Sequence, residues 1–203
     1  IFPNPNAPTG MLLGLELIKQ LLEKNTDSVV VVDEAYIDFC DFPSWSTVLD
    51  AYPNLIITQT LSKAFGMAGL RLGIAIASPE IIALLKRIKP PYNINTLSQQ
   101  SAMGALSDTK TVNAQIAESI SERNRLEKEL IAFSWVKQIY PSDANFLLLK
   151  VDDAAKRYAQ FLDKHIVLRD RSSQENCENC IRISIGTPQE NNQLLTAFKS
   201  LDE

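Results

Sequence analysis

Six residues between Asp33 and Arg71 have the types and spacing to hold and transform one small molecule. Lys63 sits in TQTLSKAFGMAGLRLG, Thr58–Gly73, just past the apolar run LIITQT. Thr60 and Ser62 precede it and Arg71 follows, among small residues such as Ala64, Gly66 and Gly69. Asp33 closes a second apolar run, VVVV, and Tyr36 follows in DEAY. A lysine amine can condense with an aldehyde. A buried carboxylate can keep a pyridine nitrogen protonated. Two hydroxyls and a guanidinium can hold a phosphate, the arginine through paired hydrogen bonds. Aldehyde, pyridine and phosphate together describe pyridoxal 5′-phosphate, whose binding calls for a lysine and an Asp or Arg partner to the ring nitrogen. Taken singly, each residue has a plainer reading. Lys63 reads as a solvated lysine after a strand. Asp33-Glu34 reads as a helix cap, and Tyr36 as a core aromatic.

The elements that must position these groups follow from the apolar pattern. VVVV (Val29–Val32), LIITQT (Leu55–Thr60) and LGIAIA (Leu72–Ala77) read as strands buried on both faces, as in a parallel sheet. MLLGLELIKQLLEK, Met11–Lys24, reads as an amphipathic helix, and PEIIALLKRI as another with proline in its first turn. Strands alternating with helices indicate an α/β layer. In such a layer, ligands bind beyond the carboxyl ends of the strands, where Asp33, Thr60 and Lys63 fall. KPPYNIN, Lys89–Asn95, reads as an irregular loop, LSQQSAMGAL as helix, and Thr109–Phe133 as one long helix bridging two subdomains. Beyond it, NFLLLKV, HIVLRD and IRISIG read as strands, with helices at Asp153–Lys164 and Pro188–Leu201. The expected division is therefore residues 1–108, part of a large domain, and residues 109–203, a small α+β domain.

Composition narrows the function. A net charge of −4 argues against a nucleic-acid partner. No apolar run reaches the ~18 residues of a membrane span. The opening IFPNPNAPTG has no basic region before an apolar core, so it does not read as a signal peptide. It starts without Met on what reads as the tail of a strand, as if cut from a longer chain. Three cysteines, Cys40, Cys177 and Cys180, fit a reducing compartment. The C-x-x-C pair in ENCENC lacks two further zinc ligands, His165 being the single histidine, and reads as a polar loop with two thiols. No metal site is expected. His165 reads as structural.

Five motifs in order, NPNAPTG, VVDEAY, TLSKAFGMAGLRLG, VLRDR and IRISIG, span nearly the whole chain. With them the sequence resembles the C-terminal part of fold-type I pyridoxal-phosphate-dependent aminotransferases, and most of all the histidinol-phosphate aminotransferase family. The resemblance implies a homodimeric cytoplasmic enzyme that moves an amino group between histidinol phosphate and 2-oxoglutarate in histidine biosynthesis. It implies that Lys63 bonds the cofactor and shuttles the substrate proton, that Asp33 pairs with the ring nitrogen, and that Tyr36 hydrogen-bonds the ring oxygen. Thr60, Ser62 and Arg71 would bind the cofactor phosphate. Arg182 would grip the substrate's polar end, a carboxylate when glutamate is bound, with Arg169 beside it favouring a phosphorylated substrate. Where the family has asparagine directly before Pro-Thr-Gly, this chain has Ala7, so either nearby Asn6 takes that role through a shifted backbone or Tyr36 acts with less help. By the same resemblance an N-terminal portion is missing, and these 203 residues alone are expected to bind the cofactor poorly. Arg169, Asp170 and Arg171 also read as a surface ion-pair cluster. Two other functions compete: a threonine-phosphate decarboxylase-like lyase on the same scaffold, and a non-catalytic truncated domain without cofactor.

Overall fold

The computed structural model describes residues 1–202 and divides them into two compact units. The first comprises residues 1–6 and 12–116, the second residues 7–11 and 117 onward. In the first, β1 (Phe2–Pro3), β2 (Val30–Asp33), β3 (Leu55–Thr60) and β4 (Gly73–Ala77) form one sheet in that order. β1, β2 and β3 run parallel. Alternate residues Val30, Val32, Leu55 and Ile57 are buried together with Trp45 and with Ile18 and Leu22 of helix α1 (Leu15–Lys24). The helix begins later than its apolar pattern because Leu13 N donates to Asn4 Oδ1 at 2.6 Å, which holds the preceding segment to the β1 loop.

β4 departs from expectation: it is antiparallel to β3. A parallel return needs a crossover that carries the chain back along the sheet, usually a helix. Residues 61–72 hold only a 3-10 turn at Ala68–Leu70 and fold straight back. β4 is also not buried on both faces, for Gly73, Ile74 and Ala75 are exposed. The remaining helices of this unit start at side-chain caps. Ser78 accepts from Ile81 N ahead of α2 (Pro79–Ile88), and Asn95 accepts from Ser98 N ahead of α3 (Thr96–Ser107). The unit boundary falls inside α4 (Thr109–Leu130).

The second unit is an antiparallel sheet of β5 (Val136–Ile139), β6 (Phe146–Val151), β8 (Cys180–Ser184) and β7 (Arg169–Asp170), in that spatial order. One face, with Leu147, Leu149, Ile181 and Ile183, packs on α5 (Ala154–Asp163) and α6 (Pro188–Ser200). Trp135, Phe161 and Phe198 fill the centre, with Trp135 stacked on Phe198 at 4.6 Å between ring centroids. Thr187 and Glu190 form a capping box at the start of α6. The expected strand HIVLRD shrinks to its last two residues. His165 takes φ 60° after α5, and Ile166 N reaches back to Phe161 O, which is the left-handed end of a helix. The backbone of His165 thus serves the helix terminus.

Candidate active site

The carboxyl ends of β2 and β3 gather the polar groups. Asp33 lies opposite Thr58, half-buried. Its Oδ1 accepts from Ala35 N at 3.1 Å, while Oδ2 has no partner among the described residues. That single bond folds the chain into the short turn that presents Tyr36. The phenol ring is buried, and Lys63 Nζ lies 5.1 Å from its centroid. Lys63 itself is half-buried and makes no hydrogen bond or ion pair among the described residues. The loop leaving β1 starts from the same edge. Asn4 N donates to Asp33 O at 2.8 Å, and half-buried Asn6 follows two residues later.

The reversal of β4 brings the two cations of the opening motif to one loop. Thr60 pairs with Gly73, so residues 61–72 begin and end at adjacent strand ends. Leu61 N donates to Leu72 O, and Met67 N to Leu61 O at 2.9 Å, drawing the loop closed. Thr60 Oγ1 and Ser62 Oγ are 2.9 Å apart, and Ser62 N donates to Thr60 Oγ1. The hydroxyls and an amide therefore point to one place. Arg71 takes φ 54°, an uncommon conformation for a residue with a Cβ, and its Nη1 donates to Ala68 O at 2.8 Å. Its exposed guanidinium keeps further donors outward. Amine, carboxylate, phenol, paired hydroxyls and guanidinium thus occupy one edge of one sheet. The donor set fits a phosphorylated pyridine aldehyde: Asp33 keeps an oxygen for a protonated nitrogen, and Lys63 keeps its amine unbonded.

Glu34 has no assigned role in the sequence reading beyond a possible cap, yet it builds the edge. It is fully buried, and no cation pairs with it among the described residues. Its carboxylate accepts from Ser44 Oγ at 2.6 Å, Trp45 N at 2.7 Å and Gln59 Nε2 at 2.9 Å. Those partners come from the loop after β2 and from β3, so Glu34 locks the two strand ends that carry Asp33 and Thr60. The signal available in sequence was an acid directly after an apolar strand, which the neighbouring Asp33 also satisfies.

In the second unit, Arg169 and Arg182 are direct cross-strand partners. The Arg182 guanidinium lies 4.8 Å from the Phe146 ring centroid, and Arg169 is exposed. The turn after β8 is held by Asn191, which donates to Glu122 at 2.8 Å and to Gly186 O at 3.0 Å. The Arg125 guanidinium beside Glu122 holds that carboxyl below its ordinary range. The structure therefore brings the seven cofactor candidates, Asn6 included, to one edge of the first unit and the two substrate candidates to one strand pair of the second. Cys177 and Cys180 are free and buried, and the described residues hold no group of three or more metal-ligating side chains.

A family model described as aminotransferase class I and II matches residues 1–198. A histidinol-phosphate aminotransferase of Christiangramia forsetii is 53% identical over 199 residues, covering 98% of this chain and 57% of that protein. The chain thus spans little more than half the length of that curated relative. The crystal structure of the histidinol-phosphate aminotransferase from Clostridium acetobutylicum superposes with a TM-score of 0.93 at 28% identity, over 99% of this chain and 63% of that one. A decarboxylase from Sulfurospirillum multivorans superposes with a TM-score of 0.85 at 32% identity, over 100% and 61%. The α/β fold with its small α+β unit, expected from sequence, is the fold of these proteins.

Proposed function

The chain belongs to the aminotransferase class I and II family, and from that premise we propose that the protein containing it transfers an amino group between histidinol phosphate and 2-oxoglutarate. The step belongs to histidine biosynthesis, and the cofactor is pyridoxal 5′-phosphate. The name and 53% identity of the Christiangramia forsetii relative support the substrate. The single observation that carries the chemistry is the placement of Lys63 Nζ over Tyr36 at the edge where Asp33 keeps one carboxylate oxygen unpaired.

When bound, the cofactor supplies an aldehyde to take up the amino group and a cationic ring to accept electrons from the substrate's Cα–H bond. The residues do the rest. Asp33 holds a proton on the ring nitrogen through Oδ2. Tyr36 orients the ring oxygen, with Asn6 as a second contact in place of the family asparagine at position 7. Thr60, Ser62 and Arg71 hold the phosphate. Lys63 would anchor the cofactor, and its amine, free of other bonds here, would take up and return the substrate's proton at Nζ. Arg182 grips the polar end of whichever substrate is bound, a carboxylate when that is glutamate, and Arg169 beside it favours a phosphorylated one. On this reading residues 1–108 belong to a large cofactor-binding domain and residues 109–203 to a small C-terminal one. The protein works as a cytoplasmic homodimer on small molecules; no described helix is long and apolar enough to cross a membrane.

The test is to add pyridoxal 5′-phosphate, reduce with borohydride, and map the added mass by peptide mass spectrometry. Label on the Lys63 peptide, lost in Lys63→Ala, is the expected result. Label spread over surface lysines, or none in this chain or a longer one, refutes the reading. A second function has a specific observation behind it, the 32% identity to the Sulfurospirillum multivorans decarboxylase. Release of carbon dioxide from a phosphorylated amino acid, with no keto acid formed from 2-oxoglutarate's amino partner, would establish it instead.

A further inference from the structure

Arg171 has no part in the roles above, yet its surroundings are those of a binding group. Its backbone N donates to Cys180 O at 2.8 Å, which continues the β7–β8 ladder one step past the Arg169–Arg182 and Asp170–Ile181 pairs. Side chains alternate between faces along a strand. Arg169 and Arg171 therefore share a face, with Arg182 directly across from Arg169 and diagonal to Arg171. Ile181 and Ile183 turn the other way, into the core. Asp170 lies on that opposite side of β7, and its Oδ1 accepts from Ser172 N at 2.8 Å. Lys150, opposite Cys180 on β6, adds a fourth cation to the same face.

Neighbouring like charges on a sheet repel. Neither Arg169 nor Arg171 has an ion-pair partner among the described residues, and Arg171 Nε is buried without a hydrogen-bond partner there. A buried donor left unmet is costly and calls for an explanation. We propose that Arg171 is the third arm of an anion site with Arg169 and Arg182, and that the anion is a phosphate monoester. The proposal rests on the reading of the amino donor as phosphorylated. Paired arginines already saturate the two oxygens of a carboxylate. A third guanidinium fork suits a group with three terminal oxygens and close to two negative charges. Arg171 would donate from Nε and one terminal nitrogen, meeting the orphaned donor and offsetting the repulsion together.

The test uses the 203-residue chain labelled with ¹⁵N-arginine, followed by NMR of the Nε–H signals. Phenyl phosphate is titrated against glutamate as the carboxylate control. The expected result is a saturable shift of the Arg171 signal with phenyl phosphate, weak with glutamate, and a roughly tenfold loss of phosphate affinity in Arg171→Gln. A static Arg171 signal, or equal shifts with both ligands, overturns the proposal. Amino transfer from histidinol phosphate is measured separately. If transfer proceeds while Arg171 ignores phosphate, the third arm falls and the functional reading stands. If Arg171 senses phosphate and no transfer occurs in any longer form, the functional reading falls and the anion site stands.

Discussion

Replacing Glu34 should loosen the sheet edge that carries Asp33, Thr60 and Lys63 more than any exposed charge could. The carboxylate is fully buried and accepts hydrogen bonds from Ser44 Oγ, Trp45 N and Gln59 Nε2. Hydrogen bonds to a charged group contribute about 1.5–3 kcal/mol each, and their partners are left buried when the acceptor goes. The three bonds share one group and do not add, so Glu34→Ala should cost roughly 3–5 kcal/mol, the range for breaking a buried charged network. Glu34→Gln keeps one acceptor oxygen but sets an amide against the Gln59 donor, so it should cost roughly 1–3 kcal/mol. The two tryptophans make the assay local, since Trp45 lies in the first unit and Trp135 in the second. Both are labelled as 5-fluorotryptophan, and urea unfolding is followed by ¹⁹F NMR. The Trp45 transition should move to lower urea in the order Ala before Gln, with the Trp135 transition unchanged. Variants within about 0.5 kcal/mol of the parent chain, the scatter of ordinary surface changes, would refute the network as the lock on this edge. So would equal shifts at both tryptophans.

Two further perturbations test the second unit. The Arg157 guanidinium, 2.7 Å from Asp152, pulls that carboxyl from 3.8 down to about 2. A depressed folded pKa stabilises above the unfolded value and loses its effect as pH falls through the folded one, so the contribution should vanish between about pH 4 and 2. With a third of the Asp152 side chain exposed, solvent screening limits it to about 1 kcal/mol. Asp152→Asn should therefore lose about that much in urea melts at pH 7 and match the parent near pH 2. Gly10 has φ 80°, its carbonyl accepts from Asp143 N at 2.7 Å, and an added Cβ would strike Ser142 Oγ. Gly10→Ala should cost roughly 1–3 kcal/mol by calorimetry. Adding Ser142→Gly should recover only the collision and not the backbone strain.

What the sequence made legible follows from which interactions are local. The β-branched runs gave β2 and β3, and polar residues at their ends gave Asp33, Thr60 and Lys63, because strand ends and side-chain alternation are short-range properties. The reversal of β4 was not legible, since the direction of a strand depends on the path of the loop before it, and LGIAIA reads the same either way. His165 ended α5 in a left-handed turn that a run of β-formers hides. Glu34 escaped notice for another reason. Its partners Ser44, Trp45 and Gln59 lie 10 to 25 residues away, and only the folded sheet brings them together.

Burial was the least legible property, and it separates the two units. An apolar stripe shows that a helix has a face, but not what covers it. In the second unit the stripe of α6 meets a core of its own, with Leu194, Leu195 and Phe198 buried. In the first, α2 buries none of its residues, and Leu84, Ile88, Leu97 and Met103 are all exposed. The edge that carries the candidate cofactor residues does not depend on those faces. Asp33, Thr60 and Lys63 are placed by the pairing of β2 with β3 and β3 with β4, and by Glu34 beneath them. All of these contacts lie inside the first unit. The positions of the chemical groups can therefore be inferred from strand ends even where the burial of the surrounding helices cannot, because hydrogen-bonded register, and not hydrophobic cover, sets where each group stands.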